Sequence, residues 1–217
     1  MTAGEVTANP TRGVDDAAVR WLAAQCHDRV VDLFHFSHDP SIERFTPHVP
    51  ATNPAQTASV WAIDAEHAPL YWFPRDCPRV TAWPRDETER RHFHTAFCTT
   101  AWRVHAIELE WLAVLESTVL YRYRFDPAPF RPWPEATGQW VSSTVVEPLE
   151  VERRDDLIGC HVAAGIELRA VPNLWPIRDL AASGPWDFSI VRFPRATPRD
   201  PQTSRSERPD ALEHGAE

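Results

Sequence analysis

A histidine followed closely by a serine is the first place along the chain where residue types suggest chemistry. His35 lies inside the apolar segment LFHFS, and Ser37 ends that segment. An imidazole at the end of a strand can offer one nitrogen to a ligand hydroxyl while the backbone holds the other nitrogen. The alternative is a core histidine that hydrogen-bonds to a carbonyl group, and the sequence leaves both interpretations open.

A run of aromatic residues supplies the second candidate. Tyr71, Trp72 and Phe73 are consecutive in HAPLYWFPRDC. Because adjacent side chains cannot all face one core, at least one of them points elsewhere, where it can stack on a planar ligand. The alternative is that two rings join the core and the third is partly exposed. The chain also contains 10 tryptophans, enough for an aromatic core and an aromatic-rich pocket.

A glutamate in GQWVSSTVVEPLEV is the third candidate. In a strand, Glu147 shares a face with Ser143 and Val145. A carboxylate beside apolar residues is partly buried, and its ionised form then needs a partner. The alternative is a solvated strand edge near Pro148, and Glu150 is a second carboxylate that can fill the same role.

Several other kinds of site are excluded because their motifs are absent. The sequence has no lysine, no H-E-x-x-H pair, no G-x-S-x-G segment and no glycine-rich phosphate loop. No set of histidines and cysteines has the spacing of a structural zinc site, so we expect no metal centre. The cysteines are scattered without a C-x-x-C pair and are expected to be free thiols. They are Cys26, Cys77, Cys98 and Cys160.

Charge and hydropathy limit the partners. The net charge of -9 argues against nucleic-acid binding, which normally uses a basic patch. The apolar runs are far shorter than the roughly 20 residues that cross a bilayer, so no membrane association is expected. Residues 1–10 lack the basic cluster and apolar stretch of a secretory signal. We therefore expect a cytoplasmic protein whose ligand is a small molecule.

The composition along the chain predicts one folded domain over residues 14–194. Residues 1–13 and 195–217 are polar and rich in small or charged residues, so they are predicted to be disordered. Residues 14–28 are predicted to form an accessory amphipathic helix before the core.

Hydrophobic periodicity and turn residues place the elements within that domain. Strands are predicted near 30–36, 59–63, 79–83, 102–106, 118–125, 167–171 and 187–193, and residues 139–151 are predicted to form one or two strands interrupted at Pro148. Helices are predicted near 66–72, 87–99, 108–116, 154–164 and 174–182, and a proline-rich loop covers 126–138. Strands and helices are mixed without a regular βαβ rhythm, so the prediction is an α+β fold with a mixed, split, antiparallel-rich sheet and short helices.

Three long segments carry a resemblance to a known group of proteins. They are LFHFSHDPSIERFTPHVP, VWAIDAEHAPLYWFPRDCPRV and GQWVSSTVVEPLEV. Together they resemble an uncharacterised bacterial family, largely actinobacterial, that is known as a domain of unknown function. The resemblance covers most of the chain and implies no particular activity.

The order of the motifs also resembles, more distantly, the ADP-ribosyltransferase-like fold in its His-Tyr-Glu form. The resemblance implies that a split sheet clasps NAD, with His35 on the nicotinamide-ribose hydroxyls and the small polar Ser37 after it. It implies further that Tyr71 stacks on the nicotinamide and that Glu147 stabilises the oxocarbenium-like centre and orients the acceptor. Phe36 stands where that family has a glycine, which departs from its pattern.

Arginines are the natural contacts for the pyrophosphate of such a cofactor, because a guanidinium binds phosphate through two hydrogen bonds. Arg75 is the leading candidate. The wider set consists of Arg44, Arg75, Arg79, Arg122 and Arg124.

Two functional hypotheses follow. The first is an NAD-dependent ADP-ribosyltransferase-like enzyme with an unknown acceptor, in which a fixed carboxylate stabilises the positive charge that develops when the N-glycosidic bond breaks. The acidic net charge disfavours nucleic acid as that acceptor. The second is a non-catalytic module that binds a small ligand in an aromatic-rich pocket.

Overall fold

The hydrophobic residues of the chain are divided between two sheets, seen in a computed structural model that describes residues 31–49 and 55–199. The described strands are β1 (Leu33–Ser37), β2 (Val60–Asp64), β3 (Arg79–Trp83), β4 (Arg103–Glu108), β5 (Leu120–Phe125), β6 (Arg131–Pro132), β7 (Gln139–Ser142), β8 (Glu150–Arg154), β9 (Ile166–Val171) and β10 (Asp187–Val191). The described α-helices are α1 (Glu87–Phe97), α2 (Leu112–Ser117), α3 (Leu157–Ala163) and α4 (Trp175–Ser183). Short 3₁₀ turns form at Ala68–Tyr71, Leu109–Trp111 and Phe193–Arg195.

The larger sheet has six strands in the order β6-β7-β2-β1-β5-β8, and all its neighbours are antiparallel. The smaller sheet has four strands in the order β10-β3-β4-β9, in which β4 and β9 run parallel. This arrangement, with short helices in one domain, confirms the predicted α+β class and its antiparallel-rich, split sheet.

Alternation along β1 gives the larger sheet two different faces. Leu33, on the face that we call outer, packs in a cluster with Phe45 and Tyr123. Phe34 and Phe36 point to the other face, which we call inner. Phe36 also packs against the cluster that holds Ile107 of the smaller sheet. The inner face therefore meets the second layer, and the outer face is covered by loops.

The smaller sheet is covered on its far side by helices α1 and α4. Helix α1 begins after Asp86, whose carboxylate accepts a hydrogen bond from the Glu89 backbone at 2.8 Å. It ends where Cys98 adopts a left-handed conformation with φ 48°. Ten buried residues form the core between sheet and helices: Val80, Ala82, Phe93, Phe97, Val104, Ala106, Leu174, Ala181, Trp186 and Ile190.

Most predicted elements are confirmed with shifts of a few residues, and the region 139–151 forms two strands, β7 and β8, separated by residues 143–149. One prediction fails. The prediction of a helix over 66–72 is wrong, because only the 3₁₀ turn Ala68–Tyr71 forms there. The carboxylate of Asp64 accepts hydrogen bonds from the backbone and the ring of His67, at 2.9 and 2.8 Å, and so ends β2 in a tight turn. Pro69 and Pro74 lack the backbone N–H that a helical hydrogen bond needs, so a regular helix does not form on either side.

The described contacts continue past residue 194, where the predicted tail begins. The Thr197 backbone donates to the buried carboxylate of Glu108 at 3.0 Å. The indole of Trp175 donates to the Thr197 carbonyl at 3.1 Å. The predicted tail 1–13, the predicted helix 14–28 and residues 200–217 lie outside the described residues.

No helix within 31–49 and 55–199 is long and apolar enough to cross a membrane.

We expect the α1 core to contribute much of the stability. Phe93 is fully buried, and its ring lies 4.4 Å from Phe97 and 5.5 Å from Trp186 between ring centroids. Phe93→Ala should lower the free energy of unfolding by about 3–5 kcal/mol in urea denaturation. His92→Ala, at an exposed position of the same helix, should change it by less than about 0.5 kcal/mol. Equal losses in the two variants would contradict this packing.

Candidate functional site

A pocket of about 170 Å³ lies on the outer face of the larger sheet. Its volume is close to that of a cavity that holds one benzene-sized ring, about 150 Å³. The segment that follows β1 forms one wall, and β1 and β2 form the other. The pocket is lined by His35, Ile42, Arg44, Phe45, Thr46, His48, Val60 and Trp61.

Two short β-bridges hold the covering segment in place. Phe45 and Val146 exchange backbone hydrogen bonds of 2.8 and 3.0 Å. His48 and Ser59 exchange a second pair, of 3.3 and 3.1 Å. The ring of Phe45 is buried and lies edge-on to Tyr123 at 5.2 Å. The pocket therefore depends on pairing between segments that are far apart in sequence.

His35 is a neutral imidazole with a defined tautomer. Its Nδ1 lies 3.0 Å from the carbonyl oxygen of Trp61, and because a carbonyl only accepts, Nδ1 carries the hydrogen. Burial lowers the pKa of His35 to about 4, and the neighbouring His48 and Arg75 act in the same direction. The ring is therefore uncharged at neutral pH, and Nε2 is its hydrogen-bond acceptor.

The first bridge brings Glu147 to the edge of the pocket, where it contacts the lining residue Arg44 but is not itself one of the lining residues. Because Phe45 pairs with Val146, Arg44 stands opposite Glu147, and the two side chains form an ion pair of 3.1 Å. Both are largely exposed, at 66% and 68%. An exposed pair of this kind contributes only about 0–1 kcal/mol, so a charged ligand can replace either partner at little cost.

Tyr71 lies on the opposite face of the sheet from His35. Its ring stacks on Phe36, with ring centroids 6.5 Å apart. Its hydroxyl accepts a hydrogen bond of 3.2 Å from Gln139, and burial raises its pKa. Because the sheet lies between them, His35 and Tyr71 do not contact the same ligand.

Ser37 and Arg75 lie near the end of β1. Ser37 is buried on the same face as His35, and its hydroxyl accepts a hydrogen bond of 3.1 Å from the Asp39 backbone. Arg75 is exposed, and its backbone nitrogen donates to Nε2 of His38 at 3.3 Å. Neither Ser37 nor Arg75 is among the described residues that line the pocket.

Apart from Arg44, the remaining candidate arginines bind groups within the protein itself. Arg79 is buried between the layers, where it donates to the carbonyls of Leu70 and Cys77 at 3.1 and 3.3 Å. Burial lowers its pKa to about 10. Arg122 and Arg124 form ion pairs with carboxylates of the neighbouring strand β8.

Glu150 is separated from the pocket by the sheet. It belongs to β8 and pairs with Arg124 at 3.1 Å. The register places it beside Arg124 and Phe34, on the inner face. Of the two carboxylates that the sequence left open, Glu147 is therefore the one at the pocket.

Two buried histidines between the layers were missed by the sequence analysis. Nδ1 of His161 lies 2.7 Å from the Leu157 carbonyl and so carries the hydrogen. Its Nε2 must then accept from Nδ1 of His105, at 3.0 Å. Burial lowers the pKa of both rings, and Nε2 of His105 has no hydrogen-bond partner among the described residues. The signal available in the sequence was a histidine amid the apolar residues of RVHAIE.

Within the described ranges, no three His, Cys, Asp or Glu side chains come together in a way that could hold a metal ion.

A family model matches residues 34–196, which span β1 through the last 3₁₀ turn. The chain belongs to DUF6886, a family of unknown function. The match includes the pocket and the buried histidines, and it confirms the resemblance to a domain-of-unknown-function family. No curated protein and no solved structure matches the chain. The resemblance to ADP-ribosyltransferases gains no support from these comparisons.

We expect three histidines that are neutral in the folded chain to make stability depend on pH. His35, His105 and His161 have a lower pKa in the folded chain than the usual 6.5. The unfolded chain therefore binds more protons, so stability is fully present above about pH 6.5 and falls as the pH is lowered. His35 alone should remove about 1–2 kcal/mol between pH 7 and pH 5.

The measurement is urea denaturation at pH 7, 6 and 5. His35→Gln should make the dependence on pH less steep, because the group that takes up the proton on unfolding is gone. His92→Gln, at an exposed position, should leave the dependence unchanged. A free energy of unfolding that is constant over this range would show that folding does not lower the pKa of these rings.

Proposed function

We propose that the outer-face pocket binds one ring of a small polar ligand. The observation that carries the proposal is a neutral His35 in a ring-sized pocket whose lining includes Phe45 and Trp61. A mainly apolar cavity with a few convergent polar groups is the usual form of a small-molecule site. His35 is one of the few polar groups among the lining residues.

The charged residues beside the pocket indicate which charged group the ligand carries. Arg44 lines the pocket and is held by a weak, exposed ion pair with Glu147. A ligand phosphate or carboxylate binds a guanidinium through two hydrogen bonds, which is a stronger interaction than an exposed ion pair. The chemistry therefore favours a ring that carries an anionic group.

ADP-ribosyl transfer is the second candidate, favoured by the location of His35 and Glu147 at one pocket. About 170 Å³ holds the nicotinamide ring and not the whole dinucleotide, which would extend along the surface. When Arg44 turns to the pyrophosphate, Glu147 is released. Nicotinamide then leaves with the electrons of the N-glycosidic bond, and the carboxylate stabilises the positive charge left on the ribose. The acceptor, or water in its place, supplies the electron pair of the new bond to that carbon and loses a proton to solvent.

The ligand pocket is tested by titrating the full chain with nicotinamide, nicotinate, ribose 5-phosphate and NAD. Binding is followed by calorimetry and by NMR of the histidine ring protons. We expect saturable binding of at least one of these probes. Arg44→Ala should weaken an anionic probe roughly ten-fold, because the charge-assisted hydrogen bonds are lost. Arg91→Ala, on the exposed side of α1, is the matched control. No saturable binding of any probe would refute the proposal.

The catalytic candidate is tested by nicotinamide release from NAD. Glu147→Gln keeps the shape of the side chain and removes its charge, so we expect turnover to fall at least about a hundred-fold while NAD binding remains. Glu150→Gln is the control, because that carboxylate lies on the inner face. If NAD binds and the unaltered chain releases no nicotinamide, the protein is a binding module only.

A further inference from the structure

Strand β8 forms one edge of the larger sheet. It pairs with β5 on one side, and none of the described strands pairs with its other side. The backbone N–H and C=O groups along such an edge are a template for another strand. The opposite edge of the same sheet, β6, is only 2 residues long and includes Pro132. Strand β8 is therefore the edge that can continue the sheet.

The sequence of β8 is complementary to itself when a second copy is placed antiparallel. The strand reads Glu150, Val151, Glu152, Arg153, Arg154. A two-fold axis through Glu152 puts Glu150 of each copy opposite Arg154 of the other, and Val151 opposite Arg153. Opposed residues then lie on the same face of the joined sheet, as an antiparallel ladder requires.

The charges already present beside the edge fit this register. On the inner face, Glu150 is bound to Arg124 at 3.1 Å. In the joined sheet it lies between Arg124 of its own copy and Arg154 of the second copy. The two Glu152 side chains meet at the axis, but each is already ion-paired with Arg122 and Arg154 of its own copy.

Apolar side chains are exposed at the same edge. Val151 is 42% exposed, and Leu149, directly before the strand, is 58% exposed. Charged residues on an edge strand often prevent pairing because like charges oppose one another. Here the two-fold register opposes unlike charges at two positions and covers part of this apolar surface, so the charges favour a single partner.

We propose that β8 pairs antiparallel with β8 of a second copy of this chain, giving a two-fold dimer with a continuous sheet. This interface lies apart from the outer-face pocket and does not depend on the proposed ligand. Because it involves one short strand from each copy, the dimer belongs with the smaller, weaker interfaces.

The oligomeric state of the full chain is measured by analytical ultracentrifugation over a concentration series. We expect a reversible monomer–dimer equilibrium. Glu150→Arg should raise the dissociation constant roughly ten-fold, because two opposed pairs become repulsive. Arg154→Glu should do the same. The double variant, with both changes, restores unlike charges and should return the constant to within about three-fold of the original.

Cross-linking tests the register separately. Glu152→Cys puts two thiols on the axis, at the roughly 4.5–5.5 Å Cα separation that a disulfide spans. Glu150→Cys is the matched control, because its two copies lie several residues apart along the strands. Under mild oxidation, disulfide dimers should exceed those of the unsubstituted chain only in Glu152→Cys.

Two results would overturn the proposal. One is a chain that stays monomeric at the highest concentration measured. The other is a dimer that is insensitive to charge reversal at Glu150 and Arg154 and cross-links equally at positions 150 and 152. Arg91→Glu, a charge reversal on α1, accounts for effects of net charge alone. Circular dichroism of each variant separates loss of pairing from loss of folding.

Discussion

Buried guanidinium groups hold the two layers of this fold together. Arg79, on the smaller sheet, donates to the carbonyls of Leu70 and Cys77, which lie in the connection that leaves the larger sheet. Arg103, on the next strand, donates to the Glu66 carbonyl at 3.0 Å. Each guanidinium also lies over an aromatic ring, at about 5 Å. Hydrogen bonds from a buried charged group are strong, and leaving such a group without them costs free energy. These contacts therefore determine the path of the connection between the two sheets.

That fixed connection determines where Tyr71 lies. Two hydrogen bonds hold the 3₁₀ turn that ends at Tyr71. Arg79 donates to the carbonyl of Leu70, and the Gln139 amide donates to the Tyr71 hydroxyl. Its ring is thereby held on the inner face, against Phe36. The pocket on the outer face is left to His35 and to the segment that carries Arg44. The two faces therefore have different roles: the inner face joins the layers, and the outer face offers a site.

The pocket and the layer junction also differ in how firmly they are held. The junction is closed by buried groups, including His105 and His161, whose neutral state follows from burial. Beside the pocket, Arg44 and Glu147 are joined by an exposed ion pair. This arrangement suits a binding site, because charged groups held by an exposed ion pair can turn to a ligand at little cost.

The sequence alone determined the α+β class, most strands and helices, and the candidate residues, because period-two alternation, caps and turn residues act over short distances. The alternation of Tyr121, Tyr123 and Phe125 with arginines, for example, was sufficient to predict β5. Only the tertiary structure decided that His35 and Tyr71 lie on opposite faces and that Glu147, not Glu150, stands at the pocket. Those outcomes depend on strand register and on the Phe45–Val146 bridge. They come from pairing between residues distant in the chain, which local patterns do not encode.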